Sequence, residues 1–228
     1  MRLVERDLAV IQELTRWRFV LGRQIRLLCG FTSQRTCDRR LRVLVESGYI
    51  DRRHVLYGVP GMYSTTHKGK KLVGASVKPD KIKVDQIIHD IAVMDTVIYF
   101  HLKVGIALTS ISTEKELHKS DGFGIRKHQP DFTFVHEDKI YCVEVELTLK
   151  AKERMLKILD DNFTAYDYQK WIVPNTQTKI KRILQNNFSA YPNIQILSLE
   201  EVTDYVKQRG VMKNGICETT GGEDDEQR

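Results

Sequence analysis

Apolar residues first recur at helical spacing. Leu8, Ile11 and Leu14 share one face over 5–16, which predicts an opening helix. A second short helix is predicted over 20–28, ended by Gly30. Thr32 or Ser33 can cap a third, which runs to about Glu46 and closes at Gly48. On that helix Cys37, Leu41, Leu44 and Val45 share one face, and Arg35, Arg39 and Arg42 share the opposite one. Strands are then predicted over 49–57 and 62–66, around the turn-forming run from Gly58 to Gly61. Three helices followed by a hairpin form the pattern of a winged helix. The third helix of such a unit enters the DNA major groove.

The stretch 75–83 is polar and holds Pro79, so it is read as a linker. Residues 84–102 are apolar on more than one face, which predicts a helix buried in a core or at a dimer interface. A strand follows over 105–112. Two alternating runs, 132–135 and 140–149, are broken by Glu137 and Asp138 and predict a hairpin. Helices over 151–165, 176–185 and 199–208 then alternate with strands over 169–173 and 194–197. Residues 210–228, rich in Gly and Thr and acidic at the end, predict a disordered tail. The expected fold class is α+β, with a winged helix-turn-helix domain over 1–74 and an α/β core over 84–209.

The hairpin carries the candidate chemistry. Strand side chains change face at every residue, so Glu144, Glu146, Thr148 and Lys150 oppose Val143, Val145, Leu147 and Leu149. Asp131 opens the neighbouring strand. Carboxylates on adjacent strands suit Mg²⁺, which takes a few of them and keeps several waters. Pro130-Asp131 followed by Glu144 resembles the PD-(D/E)xK nuclease superfamily, and the order of the elements, α-β-β-β-α-β, is similar to its restriction-endonuclease-like core. The resemblance implies Asp131, Glu144 and Glu146 as ligands of Mg²⁺ or Mn²⁺. Glu114 would be a further acid. The usual lysine position holds Glu146, so Lys150 or Lys152 would stabilise developing charge. Along an extended strand Lys150 would stand roughly 20 Å from Glu144, at about 3.3 Å per residue, too far to serve the same ion. That distance favours a nuclease-like scaffold over an enzyme.

Composition adds the partner. A chain of 228 residues, 41% hydrophobic and 29% charged, is long enough for one large or two small cores. Its four cysteines are far apart, and no apolar stretch opens the chain, which predicts reduced thiols and a cytoplasmic protein. The longest apolar stretch contains His89, Asp90 and Asp95, so no membrane span is expected. Residues 1–80 hold 16 Lys and Arg against 7 Asp and Glu, and residues 81–228 hold 20 against 23. A basic first third points to a polyanion. Arg35, Thr36, Arg39 and Arg40 are the expected DNA contacts. Gln34 would read a base edge, and Arg52 and Arg53 would hold phosphate. His89 is expected as a core histidine, and Tyr168 and Trp171 as packing residues.

Taken whole, the chain resembles the replication-relaxation family of bacterial plasmids, phages and conjugative elements. The resemblance runs through 63–69 (YSTTHKG), 88–95 (IHDIAVMD), 112–117 (STEKEL), Pro130-Asp131 and the Glu144/Glu146 pair. It implies a winged helix fused to a nuclease-like fold, acting in plasmid replication, relaxation or transfer. The partners implied are double-stranded DNA and replication or conjugation proteins. A homodimer is expected, and DNA binding would need no cofactor. Two alternatives stay open: a Mg²⁺-dependent DNA endonuclease, and a dimeric transcriptional repressor.

Overall fold

The computed structural model describes residues 2–76, 82–121 and 127–211. The middle of the expected linker and nearly all of the expected tail lie outside them. The first helix, α1 (Glu5–Arg16), begins where the Val4 N–H donates to Asp7 Oδ2 at 2.8 Å. A short strand, β1 (Val20–Leu21), then leads into α2 (Gly22–Leu28). Two strand residues are too few to show alternation, so the sequence reads this stretch as all helix. Helix α3 (Gln34–Glu46) starts at Ser33, whose hydroxyl accepts from the Thr36 N–H. Strands β2 (Ile50–Arg53) and β3 (Met62–Thr65) complete an antiparallel sheet of order β1-β3-β2. The strand expected over 49–57 ends at Arg53, where pairing with Met62 stops. Thr66 caps α4 (His67–Leu72), and Gly69 in it has no room for a side chain: a Cβ there would lie 2.2 Å from the Tyr49 carbonyl oxygen.

The second part is built on α5 (Ile87–Tyr99), entered through a 3-10 turn and left through a wider π turn over Phe100–Val104. The strand expected over 105–112 is only β4 (Ile111–Thr113), because a 3-10 turn occupies Leu108–Ser110. Arg16 accounts for part of this: its guanidinium takes the carbonyls of Leu108 and Ile111. A short helix, α6 (Glu114–Leu117), follows. The expected hairpin forms as β5 (Phe132–His136) and β6 (Lys139–Val145). Glu137 and Asp138 both have positive φ, 49° and 57°, as a two-residue turn matching strand twist requires. Helix α7 (Lys152–Ala165), β7 (Tyr168–Val173), α8 (Thr178–Asn186), β8 (Ile194–Ser198) and α9 (Leu199–Val211) complete the chain. The five-stranded sheet has order β4-β5-β6-β7-β8. It is antiparallel up to β6 and parallel beyond, where α7 and α8 make the crossovers.

Alternation divides the sheet into two faces. Phe132, Phe134, Val143, Val145 and Ile172 join a core with residues of α5 and α9. Trp171 and Val173 pack with Met155, Ile158 and Leu159 of α7 and Ile180 and Leu184 of α8. The first core does not stop at the sheet: Val10, Leu14, Ile25 and Leu41 belong to the same cluster as Val97, Val143 and Val206. Helix α5 is buried continuously from Ala92 to its end at Tyr99, which explains why its sequence is apolar on several faces. Much of its apolar surface is covered within one chain, by α2, α9 and β6, while Ile88 near its start stays exposed. The fold is mixed α+β, and no helix among the described residues is long and apolar enough to cross a membrane.

Candidate functional site

Helix α5 connects two groups of charges. On one side Asp95, 4% exposed, accepts two hydrogen bonds from Arg23 at 2.8 Å and one from Gln24 at 2.7 Å. Six residues earlier, His89 Nε2 lies 3.1 Å from the Val145 carbonyl oxygen and 3.4 Å from Asp131 Oδ1. His89 and Asp95 are thus the two ends of a joint between the N-terminal elements and the larger sheet. Arg18 strengthens it by spanning Asp90 at 3.1 Å and Glu114 at 3.0 Å. Arg16 binds Glu116, which also closes a capping box with Thr113 at the start of α6. The segment 112–117 therefore has a local reason for its Thr and Glu.

The three hairpin acids each have their own partner. Asp131 and Glu144 are cross-strand neighbours one step beyond the Phe132–Val143 pair. Asp131 Oδ2 accepts the Val145 N–H at 2.7 Å. Glu144 Oε1 accepts from Asn162 of α7 at 3.0 Å and lies 2.7 Å from His128 Nε2. Glu146 pairs with Lys150. The strand expected to run through Leu149 ends at Val145, so Lys150 folds back toward the acids instead of standing at the far end of an extended run. The distance argument against Lys150 fails for that reason. Lys152 is exposed, and Glu114 is held by Arg18. Among the described residues, no group of three or more His, Cys, Asp or Glu side chains is placed to hold a metal ion. In this structure Asp131, Glu144 and Glu146 are each engaged by groups of the protein itself.

His89 is more than a packed histidine. Burial opposes its charge, but hydrogen bonds to Asp131 and Asp90, with their negative charges, outweigh it and raise its pKa to about 10. Burial pushes the Glu144 carboxyl up. The His128 hydrogen bond pulls it down, the Asp131 charge pushes it up again, and the net direction is upward. The folded pKa of His89 lies above its unfolded value near 6.5, so the folded chain holds the extra proton. The stability it contributes is complete below about pH 6.5 and is lost as pH rises toward 10. The melting temperature should therefore fall between pH 7 and pH 9.5, and His89→Gln should flatten that fall. An equal pH slope in both proteins would show that the His89–Asp131 contact is not maintained in solution.

The basic face is sorted by the fold into free and engaged cations. Arg35, Arg39 and Arg42 are exposed along α3, and none makes an ion pair among the described residues. Arg40, expected on DNA, is instead tied to the fully buried Asp7 through Nε at 2.6 Å and through a second contact from Nη2. Gln34 donates to Asp38 at 2.8 Å, and the Thr36 hydroxyl lies 2.9 Å from that of Ser33. Arg52 stacks over Tyr63, and Arg53 pairs with Asp51 at 2.6 Å. Arg16, Arg18, Arg23 and Arg26 reach residues beyond position 80, the last through the Arg209 carbonyl at 2.8 Å. Part of the charge imbalance between the halves is thus neutralised inside the molecule. In comparisons with known protein families, curated proteins and solved structures, nothing matches this chain.

Proposed function

We propose that the chain is a double-stranded DNA-binding protein whose first 74 residues form a winged helix. In this reading α3 is the recognition helix, and the second unit is a nuclease-like scaffold. The observation that carries it is the row of Arg35, Arg39 and Arg42, exposed and without carboxylate partners on α3. Five neighbouring arginines, 16, 18, 23, 26 and 40, are engaged internally, so this row is not simply the residue of a basic composition. Gln34 and Thr36 sit in the first turn of α3, where a recognition helix presents side chains to base edges. Arg52 and Arg53 on β2 are exposed beside the hairpin and would hold phosphate. The internal partners of Asp131, Glu144 and Glu146 favour the scaffold reading over the endonuclease. The family resemblance adds the context of a mobile element, as an accessory or regulator of replication, relaxation or transfer.

Duplex binding measured across a salt series tests this. Arg35→Ala combined with Arg39→Ala should weaken binding by about tenfold or more and reduce the slope of log K against log salt by roughly 2, since each phosphate contact contributes about 0.9. Unchanged affinity and slope would remove α3 from the interface. Plasmid cleavage in Mg²⁺ or Mn²⁺ that Glu144→Gln abolishes would replace the scaffold reading with the endonuclease.

A further inference from the structure

A second group of free cations lies on the other side of the larger sheet. Helix α7 and the residues before β5 enclose a groove of about 940 Å³. That volume lies at the upper end of the range for small-molecule sites. Lys127, Arg154 and Lys157 line it, all exposed and none in an ion pair among the described residues. Two acids also line it. Glu114 is held by Arg18, which it shares with Asp90, so the two acids stand against three cations. His128 and Asn162 line the groove too, and both are fixed by Glu144, which is 5% exposed. Ile158 and the Tyr166 ring add apolar surface beside the charges.

We propose that this groove binds the phosphates of a nucleotide, either free or within a single strand of nucleic acid. Three cations without an ion pair among the described residues supply the anion site, and lysine and arginine are the side chains suited to phosphate oxygens. A simple anion would need none of the apolar and amide groups next to them. A base stacked on an aromatic ring, with its edge toward fixed polar groups, uses both. The buried Glu144 holds His128 and Asn162 in place, so these two are positioning groups for the groove and are ordered before any ligand arrives. The proposal does not rest on DNA contact by α3, since it concerns a different element and different cations.

The test uses the full chain carrying Arg35→Ala and Arg39→Ala, so that α3 does not contribute. A labelled 12-nucleotide oligothymidylate is titrated by anisotropy, and thymidine triphosphate by calorimetry. At least one of them should bind. Adding Arg154→Ala and Lys157→Ala should weaken that binding by about tenfold, and for the strand reduce the salt slope by roughly 1.4, at about 0.7 per contact. Lys127→Ala alone should shift it in the same direction. All three positions are exposed, and an unchanged melting temperature confirms that the fold is kept. Binding of the oligonucleotide alone identifies a strand, and binding of the triphosphate identifies a free nucleotide. If neither probe binds, or if the groove variants bind as tightly as their parent, the proposal is wrong. Duplex binding by the otherwise unsubstituted chain is a separate measurement, so failure here leaves the α3 reading intact.

Discussion

Arg40→Ala is expected to lower the free energy of unfolding by about 3 kcal/mol. Asp7 is fully buried in the first turn of α1, and its two oxygens are met by Arg40 and by the Val4 N–H. Removing the guanidinium leaves a carboxylate with one backbone donor and no counter-charge. Such a loss ordinarily costs about 3 to 5 kcal/mol. The lower end applies because Arg40 itself is 27% exposed, and water can partly replace it. Chemical denaturation measures the change, and the double variant Asp7→Asn with Arg40→Ala should recover part of it, because a neutral amide oxygen still accepts from Val4. The pH response should also reverse. Burial raises the Asp7 pKa, but the hydrogen bonds from Arg40 and Val4 and the Arg40 charge outweigh it, so the folded value is lowered. In the native chain, therefore, this group's stabilisation is lost as pH falls. Without Arg40 burial dominates, and the penalty should shrink toward pH 4. A penalty below about 0.5 kcal/mol, the usual range for an exposed site, together with a loss of DNA affinity, would return Arg40 to the DNA interface.

Trp171→Ala should have the largest effect on stability, about 3 to 5 kcal/mol. The indole is fully buried in β7 and packs with side chains of both α7 and α8. Its Nε1 donates to Gln169 at 3.2 Å, and Gln169 in turn donates to the Leu159 carbonyl of α7 at 3.1 Å. The ring thus holds the helix that carries Asn162, and Glu144 is its partner in the sheet register. Truncation should lower the denaturation midpoint with little change in slope, the sign of lost stability without loss of two-state behaviour. A change under about 1 kcal/mol would mean that α7 and α8 close over the cavity, and that the Glu144 surroundings do not depend on the indole.

Periodicity and turn chemistry located most of the elements. The α3 cap at Ser33, the hairpin break at Glu137 and Asp138, and the alternation of strands and helices after residue 150 all correspond to elements of the structure. Misses came where tertiary contact overrides local pattern. Strand β1 exists only because β3 lies beside it. The run to Leu149 alternates, yet pairing ends at Val145, and the following residues turn Lys150 back to Glu146. The site was legible in its acids and not in their partners. Nothing local marks His128, 16 residues before Glu144, or Asn162, 18 residues after it, as its neighbours. The charge asymmetry was visible, but a count of charges does not distinguish an arginine facing solvent from one facing Asp95. The row on α3 is exposed in the way the composition suggests, whereas Arg16, Arg18, Arg23 and Arg40 are not free.

The unbroken core through α5 limits how the chain can be taken apart. Residues from α1 and α3 share one apolar cluster with the larger sheet and α9, and Arg23 and Arg18 grip α5 across the same boundary. Cutting near residue 76 would therefore not release two autonomous halves. It would split a hydrophobic interior and strand Asp95 without its counter-ion. Heat and denaturant should act on such a molecule as a single melting unit, so that a disturbance on either side of α5 is felt on the other as a change in the whole population of folded chains.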